Sequence, residues 1–398
     1  MKMGCKLLTF LLIFVWMVGM VGCSSQKNDD AAEALQFTLS EDGKGYAVTD
    51  LKNFTGKDLV IPDTYEGKPV TAIEEYAVDY TDTLESVTIG KNVQRIGHRA
   101  FYQCPNIKKI TYNAASCGDC ETSPFEEVGA KEVTVTIGAG VKRIPANLFG
   151  KGAFSLSSLR ITALTFAAGS QCTEIGDDAF GGVLRIDTLT LPGGLKTIGE
   201  TAFSDAHTLL QVTLPTSLTS IGYDAFKNCW KLKEVYNLSS LNIQIDSAEN
   251  GRVAEQAVAV HTDKGTPSVL GKVGDYRFVQ EGDTLYLLGY VGKETDLTLP
   301  ADYQGDSYAI YTYAFYYSDM QSVVIPAGVI GIGRAAFDLC SDLKYATFED
   351  PEGWYYKGIT KDYPISADQL KDRVKAAHAL GGGTANLSGY DDETWIKK

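Results

Sequence analysis

The chain has 398 residues, 44% of them hydrophobic, and a formal net charge of −14 at pH 7. This length and apolar fraction allow a large buried core, whereas the acidic balance disfavours binding to nucleic acid or to anionic lipid headgroups. The sequence contains four histidines and no His-x-x-x-His pair, so it offers little to a metal site or a histidine-based catalytic site. We therefore expect no metal, no cofactor and no nucleic-acid partner.

The first 22 residues have the composition of a secretory signal peptide. Lys2 and Lys6 precede an apolar run over residues 7–20. The run has about 14 residues, whereas a helix that spans a bilayer needs roughly 20. Removal of residues 1–22 takes away two lysines and no acidic residue, which leaves a net charge of −16.

A cysteine follows the apolar run. The sequence Met20-Val21-Gly22-Cys23 resembles a bacterial lipobox, although Met20 stands where Leu or Val is usual. The resemblance implies that the chain is cleaved before Cys23 and that Cys23 carries lipid. Residues 24–30 are polar and too poor in apolar side chains to fold, as expected of a tether. The alternative is a secreted protein without an anchor.

One repeated phrase organises most of the chain. Its columns recur 23 residues apart: Ile175, Ile198 and Ile221; Ala179, Ala202 and Ala225; Phe180, Phe203 and Phe226. The full unit reads Ile-Gly-x-x-Ala-Phe-x-x-Cys-x-x-Leu-x-x-Val-x-Leu-Pro. Its last part alternates with the period of a half-buried strand, and its middle part has the three- and four-residue spacing of a helical or 3-10 turn. One such unit cannot bury its own apolar face, so the copies must stack as a solenoid.

These units resemble the BspA-type leucine-rich-repeat surface proteins of bacteria, over most of residues 37–356. The resemblance implies a repeat solenoid of the leucine-rich-repeat type, a β-rich α/β fold of short strands and short helical or 3-10 turns with a period of about 23 residues. It also implies adhesion to host or microbial macromolecules.

A larger duplication divides the chain. Residues 56–62 and 65–67 return in similar form at 292–300 and 303–305, and each copy leads into repeat units. We therefore predict six segments: a signal peptide at 1–22, a lipidated tether at 23–36, a first leucine-rich-repeat module at 37–245, a connecting segment at 246–273, a second module at 274–350 and a C-terminal capping segment at 351–398.

The capping segment has the signals of one helix. Residues 366–369 form a capping box, Leu370, Val374 and Ala377 fall on one helical face, and glycines 381–383 stop the run. Such a helix would cover the end repeat, which has no neighbour to pack against.

Cysteines fall into two groups. Three of them lie three residues after the phenylalanine of their own unit and are expected to pack as small apolar groups: Cys104, Cys229 and Cys340. Cys117 and Cys120 form a Cys-x-x-Cys in a loop that interrupts the period. We predict a local disulfide there, since an extracellular setting permits one, whereas a zinc site would need a second pair of ligands.

Tyrosines crowd one segment of the second module. Phe315 fills the core column, and residues two apart cannot all point inward with it, so Tyr311, Tyr313 and Tyr316 are the predicted ligand-binding residues. The other interpretation is that they only pack between turns. A ladder of small hydroxylic side chains is expected to stabilise neighbouring strands without binding anything: Ser86, Thr88, Thr111, Thr188, Thr190, Thr213 and Ser322.

Together these features predict a cell-surface lipoprotein that presents a leucine-rich-repeat binding surface for adhesion or protein–protein recognition and is not an enzyme. The alternative is a carbohydrate-binding surface lipoprotein of a glycan-uptake system, favoured if the tyrosines and Trp354 form an exposed platform. We expect an extracytoplasmic monomer, attached to a bacterial membrane only by its lipid, whose partner is an extracellular protein or glycan.

Overall fold

The computed structural model describes residues 34–129, 132–150, 159–358, 360–381 and 393–398. The predicted signal peptide, Cys23 and most of the predicted tether lie outside these residues. The predicted repeat solenoid is confirmed: short strands and tight turns stack with a period of about 23 residues through about 13 turns.

The first stack begins with an antiparallel hairpin of β1 (Leu35–Leu39) and β2 (Tyr46–Leu51). β2 pairs in parallel with β5 (Lys68–Ile73), which also carries β4 (Thr64–Tyr65) on its other side. One parallel strand per turn then forms a ladder along one face: β3 (Asp58–Ile61), β6 (Ser86–Ile89), β8 (Lys109–Tyr112), β9 (Val133–Ile137), β11 (Ile161–Phe166), β13 (Thr188–Thr190), β15 (Gln211–Leu214), β17 (Glu234–Asn237) and β18 (Ala259–His261).

Two-residue strands line a second face of the same stack. Each ends on an isoleucine, which is followed by the glycine of the Ile-Gly phrase except in β10, where Pro145 follows. These strands are β7 (Arg95–Ile96), β10 (Arg143–Ile144), β12 (Glu174–Ile175), β14 (Thr197–Ile198) and β16 (Ser220–Ile221). A 3-10 turn, Asn250–Arg252, packs on the last of them. The solenoid thus continues through part of the predicted connecting segment, where substitutions in the repeat columns hide the period.

The second stack begins with the same kind of hairpin, which accounts for the duplicated sequence. β19 (Gly271–Val273), β20 (Tyr276–Glu281) and β21 (Thr284–Tyr290) are antiparallel, and β21 pairs in parallel with β23 (Tyr308–Ile310), which pairs with β25 (Val329–Ile332). The other ladder consists of β22 (Asp296–Thr298), β24 (Ser322–Ile325) and β26 (Tyr345–Phe348).

The C-terminal segment closes the second stack. β27 (Trp354–Lys357) and β28 (Asp362–Pro364) form a hairpin, and β29 (Trp395–Lys397) pairs between β25 and β27. Two short helices, α1 (Ala367–Lys371) and α2 (Arg373–Ala379), pack on β26. The prediction of one continuous helix was wrong, because Asp372 has an extended backbone and its carboxylate accepts the amides of Val374 and Lys375 as a new N-cap. Val374 is accordingly exposed.

The core of the first stack is a column of stacked phenylalanine rings. Consecutive centroids lie 4.8 to 5.6 Å apart: Phe101, Phe125, Phe149, Phe180, Phe203 and Phe226. Phe315 and Phe337 repeat the arrangement in the second stack, with centroids 5.0 Å apart. The column is continuous because each turn places its Phe at the same point of the repeat.

The glycine of the Ile-Gly phrase permits the close stacking of turns. A Cβ on Gly222 would lie 2.5 Å from the amide nitrogen of Glu200, and one on Gly199 would lie 2.6 Å from that of Asp177. Both neighbours are main-chain atoms of the preceding turn and cannot move aside, so these positions accept only hydrogen as a side chain.

The repeat-column cysteines are buried and bond the preceding turn. The Cys229 thiol donates to the carbonyl of Phe203 at 3.4 Å, and the Cys340 thiol donates to that of Phe315 at 3.0 Å. Burial raises the pKa of each of these thiols to about 12, so they stay protonated and serve as small packing groups.

The two stacks lie against one another. Among the described residues, no strand of the first stack pairs with a strand of the second, and each has its own hydrophobic core. A small third cluster joins them, where Leu210 packs with Val279 and Leu288. Arg160 also bonds Asp319 at 3.1 Å across the boundary.

Candidate functional site

The predicted ligand-binding tyrosines lie in the turn after β23, where the second stack contacts the first. Tyr313 and Tyr317 in this turn have left-handed backbones, with φ of 58° and 62°. The equivalent residues of an earlier turn, Arg99 and Gln103, both have φ of 50°. This backbone conformation therefore belongs to the repeat and is not strain particular to the tyrosine segment.

Tyr311 is held by the first stack. Its hydroxyl accepts a hydrogen bond of 2.6 Å from the ammonium of Lys233, a residue with no exposed surface. Its ring meets that of Tyr286 edge to face, with centroids 5.2 Å apart. Burial raises the pKa of Tyr311, so the neutral phenol is the form that contacts Lys233.

Tyr313 and Tyr316 join two rings of the first stack in what we call the junction cluster: His207, Trp230, Tyr313 and Tyr316. Tyr313 stacks with Trp230 at 5.8 Å, and Tyr316 meets His207 edge to face at 4.9 Å. The two tyrosines contact each other at 5.4 Å. All four side chains remain partly exposed, so each ring is positioned by its neighbours and still reaches the surface.

Tyr317 contributes an exposed ring beside two cations. The guanidinium carbons of Arg160 and Arg185 lie 5.1 and 5.6 Å from its centroid, within range of a cation–π interaction. Tyr317 itself is 40% exposed.

The structure thus brings the three predicted residues, Tyr311, Tyr313 and Tyr316, together in one region, where each contacts the first stack. Their role in binding a ligand stays a prediction.

The Cys-x-x-Cys lies deeper than expected from a surface loop. Both Cys117 and Cys120 belong to the hydrophobic core of the first stack and are thiols. Burial raises the pKa of Cys117 and raises that of Cys120 to about 12, which disfavours a reactive thiolate. The loop around them replaces the two-residue strand of this turn and supplies core side chains in its place. A local disulfide stays a prediction.

Trp354 does not contribute to an exposed platform. Its side chain is buried between Phe348 and Trp395, with centroids 5.5 and 6.2 Å away, and its indole N–H donates to the carbonyl of Asp350 at 3.0 Å. The aromatic platform on which the carbohydrate-binding alternative depended therefore lacks this residue.

Sequence reasoning missed an exposed tyrosine group on the first stack. Tyr80 is 65% exposed, and its ring meets that of Tyr102 edge to face at 5.6 Å. Tyr76 contacts Tyr102 in the same manner at 5.8 Å. Tyr76 and Tyr80 lie on either side of the buried residues 77–78, in columns of the repeat whose residue type varies. Tyrosine in such variable columns is the sequence signal that could have predicted this exposed group.

It also missed the buried cations at the junction. Lys231 is 5% exposed and Lys233 has no exposed surface, although lysine is rarely buried. The sequence did not indicate that these lysines are buried, because they alternate with Trp230 and Leu232 and alternating polar residues usually face solvent.

Within the described ranges, no group of three or more His, Cys, Asp or Glu residues could hold a metal ion. No helix in that part of the chain has the length and apolar composition to cross a membrane.

Comparison with known proteins places these repeats in a family. The model described as the BspA type leucine rich repeat region matches six copies, over residues 56–169, 135–248 and 308–353, which together span more than half of the chain. A comparison with curated proteins finds no match.

Three solved structures are among those similar to this chain. A leucine-rich cell surface protein from Faecalibacterium prausnitzii is 20% identical, with 79% of this chain and 74% of that chain covered and a TM-score of 0.29. A leucine-rich repeat protein from Bacteroides ovatus is 21% identical, covering 79% and 70%, with a TM-score of 0.37. The pneumococcal vaccine antigen PcpA is 16% identical, covering 79% and 68%, with a TM-score of 0.33.

Proposed function

Because this chain belongs to the BspA-type leucine-rich-repeat family, we propose that it is a bacterial cell-surface protein that binds an extracellular macromolecule and catalyses no reaction. The observation that carries the proposal is the junction cluster, in which four partly exposed aromatic and imidazole rings from both stacks converge. A protein ligand is the partner that such a surface fits best, because tyrosine and tryptophan dominate the energetics of protein interfaces.

The packing of the junction cluster supports this proposal. A side chain that is already held in one orientation loses little entropy when a partner binds, so more of the free energy of its contacts with that partner contributes to the affinity. Tyr316 is held between His207 and Tyr313, with centroids 4.9 and 5.4 Å away. Burial raises the pKa of Tyr316, so its hydroxyl stays a neutral hydrogen-bond donor at physiological pH.

Replacing Tyr316 with alanine tests the site. The chain from residue 24 to 398, immobilised and exposed to extracellular-matrix proteins and mucins, should capture a partner. Tyr316→Ala should weaken that binding by about 1 to 2 kcal/mol, as loss of an aromatic anchor does, with little change in melting temperature. Tyr223→Ala is the matched control, because Tyr223 is an exposed tyrosine of the first stack (68% exposed) that is not a member of the junction cluster. Equal affinity of the two variants for the captured partner would exclude the junction cluster as its binding site.

Attachment to the membrane is a separate part of the proposal. Cys23 lies outside the described residues, and its support is the resemblance of residues 20–23 to a lipobox. Cys23→Ser should release the protein from the membrane fraction into the soluble fraction and abolish incorporation of labelled palmitate, because the acylated cysteine is the proposed membrane anchor. Labelling of the mutant to the same extent as the unaltered protein would contradict this anchor.

The second candidate function is carbohydrate binding at the cell surface. Although Trp354 is buried, a cleft between the stacks is lined by hydroxyl groups and favours this candidate. Glycan arrays probed with residues 24–398 would separate the candidates, since a protein-binding surface gives no signal with purified glycans.

A further inference from the structure

A cleft of about 450 Å³ lies between the two stacks. One wall consists of residues in or just before strands of the first stack, and the other is formed by residues 288–293, at the end of β21 and in the turn after it. Pockets for small ligands begin at roughly 300 Å³, so the cleft can hold a ligand the size of a monosaccharide.

Two cations stand in one column of this cleft. Arg185 and Lys231 line it together with Thr208, and these three residues are spaced by 23 in the sequence. They occupy the same position of three successive turns, so Arg185 and Lys231 lie two turns apart on the same wall with Thr208 between them.

The partners of these cations are neutral. The Lys231 ammonium donates to the carbonyl of Ala314 at 2.9 Å, and the Arg185 guanidinium donates to the carbonyls of Gly182 and Leu184 at 3.2 and 2.8 Å. In the part of the chain that the structure describes, neither cation has a carboxylate within 4.0 Å. Removing a cation from water is strongly unfavourable unless an anion compensates it, so the cleft is suited to receive one negative charge.

The remaining lining limits what that anion can be. Thr134 and Thr162 provide hydroxyl groups that can both donate and accept hydrogen bonds. The hydroxyl of Thr208 donates to the carbonyl of Ile186 at 2.9 Å and can accept a further hydrogen bond. Leu210 and Leu288 belong to the buried cluster between the stacks and close the cleft on its inner side, and Asp187 provides an acceptor. The carboxylate of Asp187 would repel a ligand with several negative charges, such as a polyphosphate, but would accept hydrogen bonds from a hydroxylated ligand with one.

An ion pair crosses the rim of the cleft. Lys293 of the second stack and Glu132 of the first are 3.1 Å apart, with 82% and 60% of their side chains exposed. A pair this exposed contributes little to stability, so it can open when a ligand enters.

We propose that the cleft between the stacks binds an acidic sugar, whose single carboxylate is received by Arg185 and Lys231 and whose hydroxyl groups bond the threonines and Asp187. This site is separate from the junction cluster, so its existence does not depend on the protein-binding function proposed above; it rests on the second candidate function, carbohydrate binding, and names the ligand class.

Calorimetric titration of residues 24–398 with glucuronate, glucose and acetate tests the ligand class. Glucuronate carries both the charge and the hydroxyl groups, glucose only the hydroxyl groups and acetate only the charge. Glucuronate should bind at least about tenfold more tightly than either, since a charged hydrogen-bonded group contributes about a factor of ten or more. Equal binding of glucose or acetate, or no binding of glucuronate at about 10 mM, where even a millimolar site would be occupied, would overturn the proposal.

Variants at the two buried lysines test the position. Lys231→Met should weaken glucuronate binding by about tenfold or more. Lys233→Met is the matched control, because Lys233 is also buried at the boundary but its ammonium contacts Tyr311 and Glu281 and it does not line the cleft. It should leave binding unchanged. Equal losses in the two variants would mean that binding depends only on how the stacks pack. If Lys231→Met fails to fold, Arg185→Gln should show the same loss, and unchanged binding in that variant would overturn the proposal.

Discussion

Replacing Phe203 with alanine is expected to destabilise the first stack by about 3 to 5 kcal/mol, the range for removing a fully buried phenylalanine. Phe203 has no exposed surface, and its ring stacks on those of Phe180 and Phe226 at 5.6 and 5.3 Å. The main chain on both sides is fixed by hydrogen bonds between turns, such as the 2.8 Å bond from the amide of Phe203 to the carbonyl of Ala225. The cavity therefore cannot collapse fully.

The loss should be local. Each turn contacts mainly its neighbours, so hydrogen exchange should accelerate over residues 180–226 and stay unchanged in the second stack. Tyr223→Ala, an exposed substitution in the same region, should change the free energy of unfolding by no more than about 0.5 kcal/mol. Unchanged exchange over residues 180–226 in Phe203→Ala would contradict the role of the phenylalanine column.

Replacing Lys231 with methionine is expected to stabilise the protein at neutral pH, by about 1 to 4 kcal/mol. This is the range found when well-packed apolar residues replace buried ion pairs, and Lys231 is a buried cation without an ion-pair partner among the described residues. Methionine fills a similar volume without a charge, and it forgoes only the hydrogen bond to the carbonyl of Ala314. If Lys231→Met is more stable but binds the anion more weakly, Lys231 is a binding residue, since binding residues often lower the stability of the protein.

The stabilisation should depend on pH in a defined direction. Burial lowers the pKa of Lys231 from 10.5 to about 7, whereas the unfolded chain restores the higher value. Between these values the unfolded chain binds more protons than the folded one, so the unaltered protein gains stability as the pH rises from about 7 to about 10.5. Below pH 7 both states are protonated and the full destabilisation by the buried charge is present.

The advantage of Lys231→Met should therefore shrink between pH 7 and pH 10, as measured by urea unfolding of both proteins. The comparison isolates Lys231, because every other titrating group is common to the two chains. Lys196→Met, at an exposed position of the same stack, should show no such dependence. A constant difference between Lys231→Met and the unaltered protein across this range would mean that the Lys231 ammonium is not desolvated.

The sequence determined the solenoid because the contacts that build it recur at one spacing. A phenylalanine every 23 residues, as at 180, 203 and 226, can be buried only if successive turns place it at the same point, and the structure stacks these rings as the period requires. The same holds for Cys229 and Cys340, whose columns identified them as packing residues. The role of glycine in the Ile-Gly phrase became clear only from the structure, in which the main chain of the preceding turn lies within 2.5 Å of where a Cβ at Gly222 would be.

The tertiary structure alone decided how the two stacks meet. Lys231 bonds the carbonyl of Ala314 and Lys233 bonds the hydroxyl of Tyr311, across 83 and 78 residues of sequence. In the sequence these lysines have the pattern of a solvated strand edge, and the tyrosines near residue 313 have that of an open surface. The lysines are buried and the tyrosines are partly buried because the outer faces of two separate stacks come into contact. The repeat pattern predicts which residues face the neighbouring turn, but no local sequence pattern predicts which outer face of a stack will be covered by a stack that is distant in sequence.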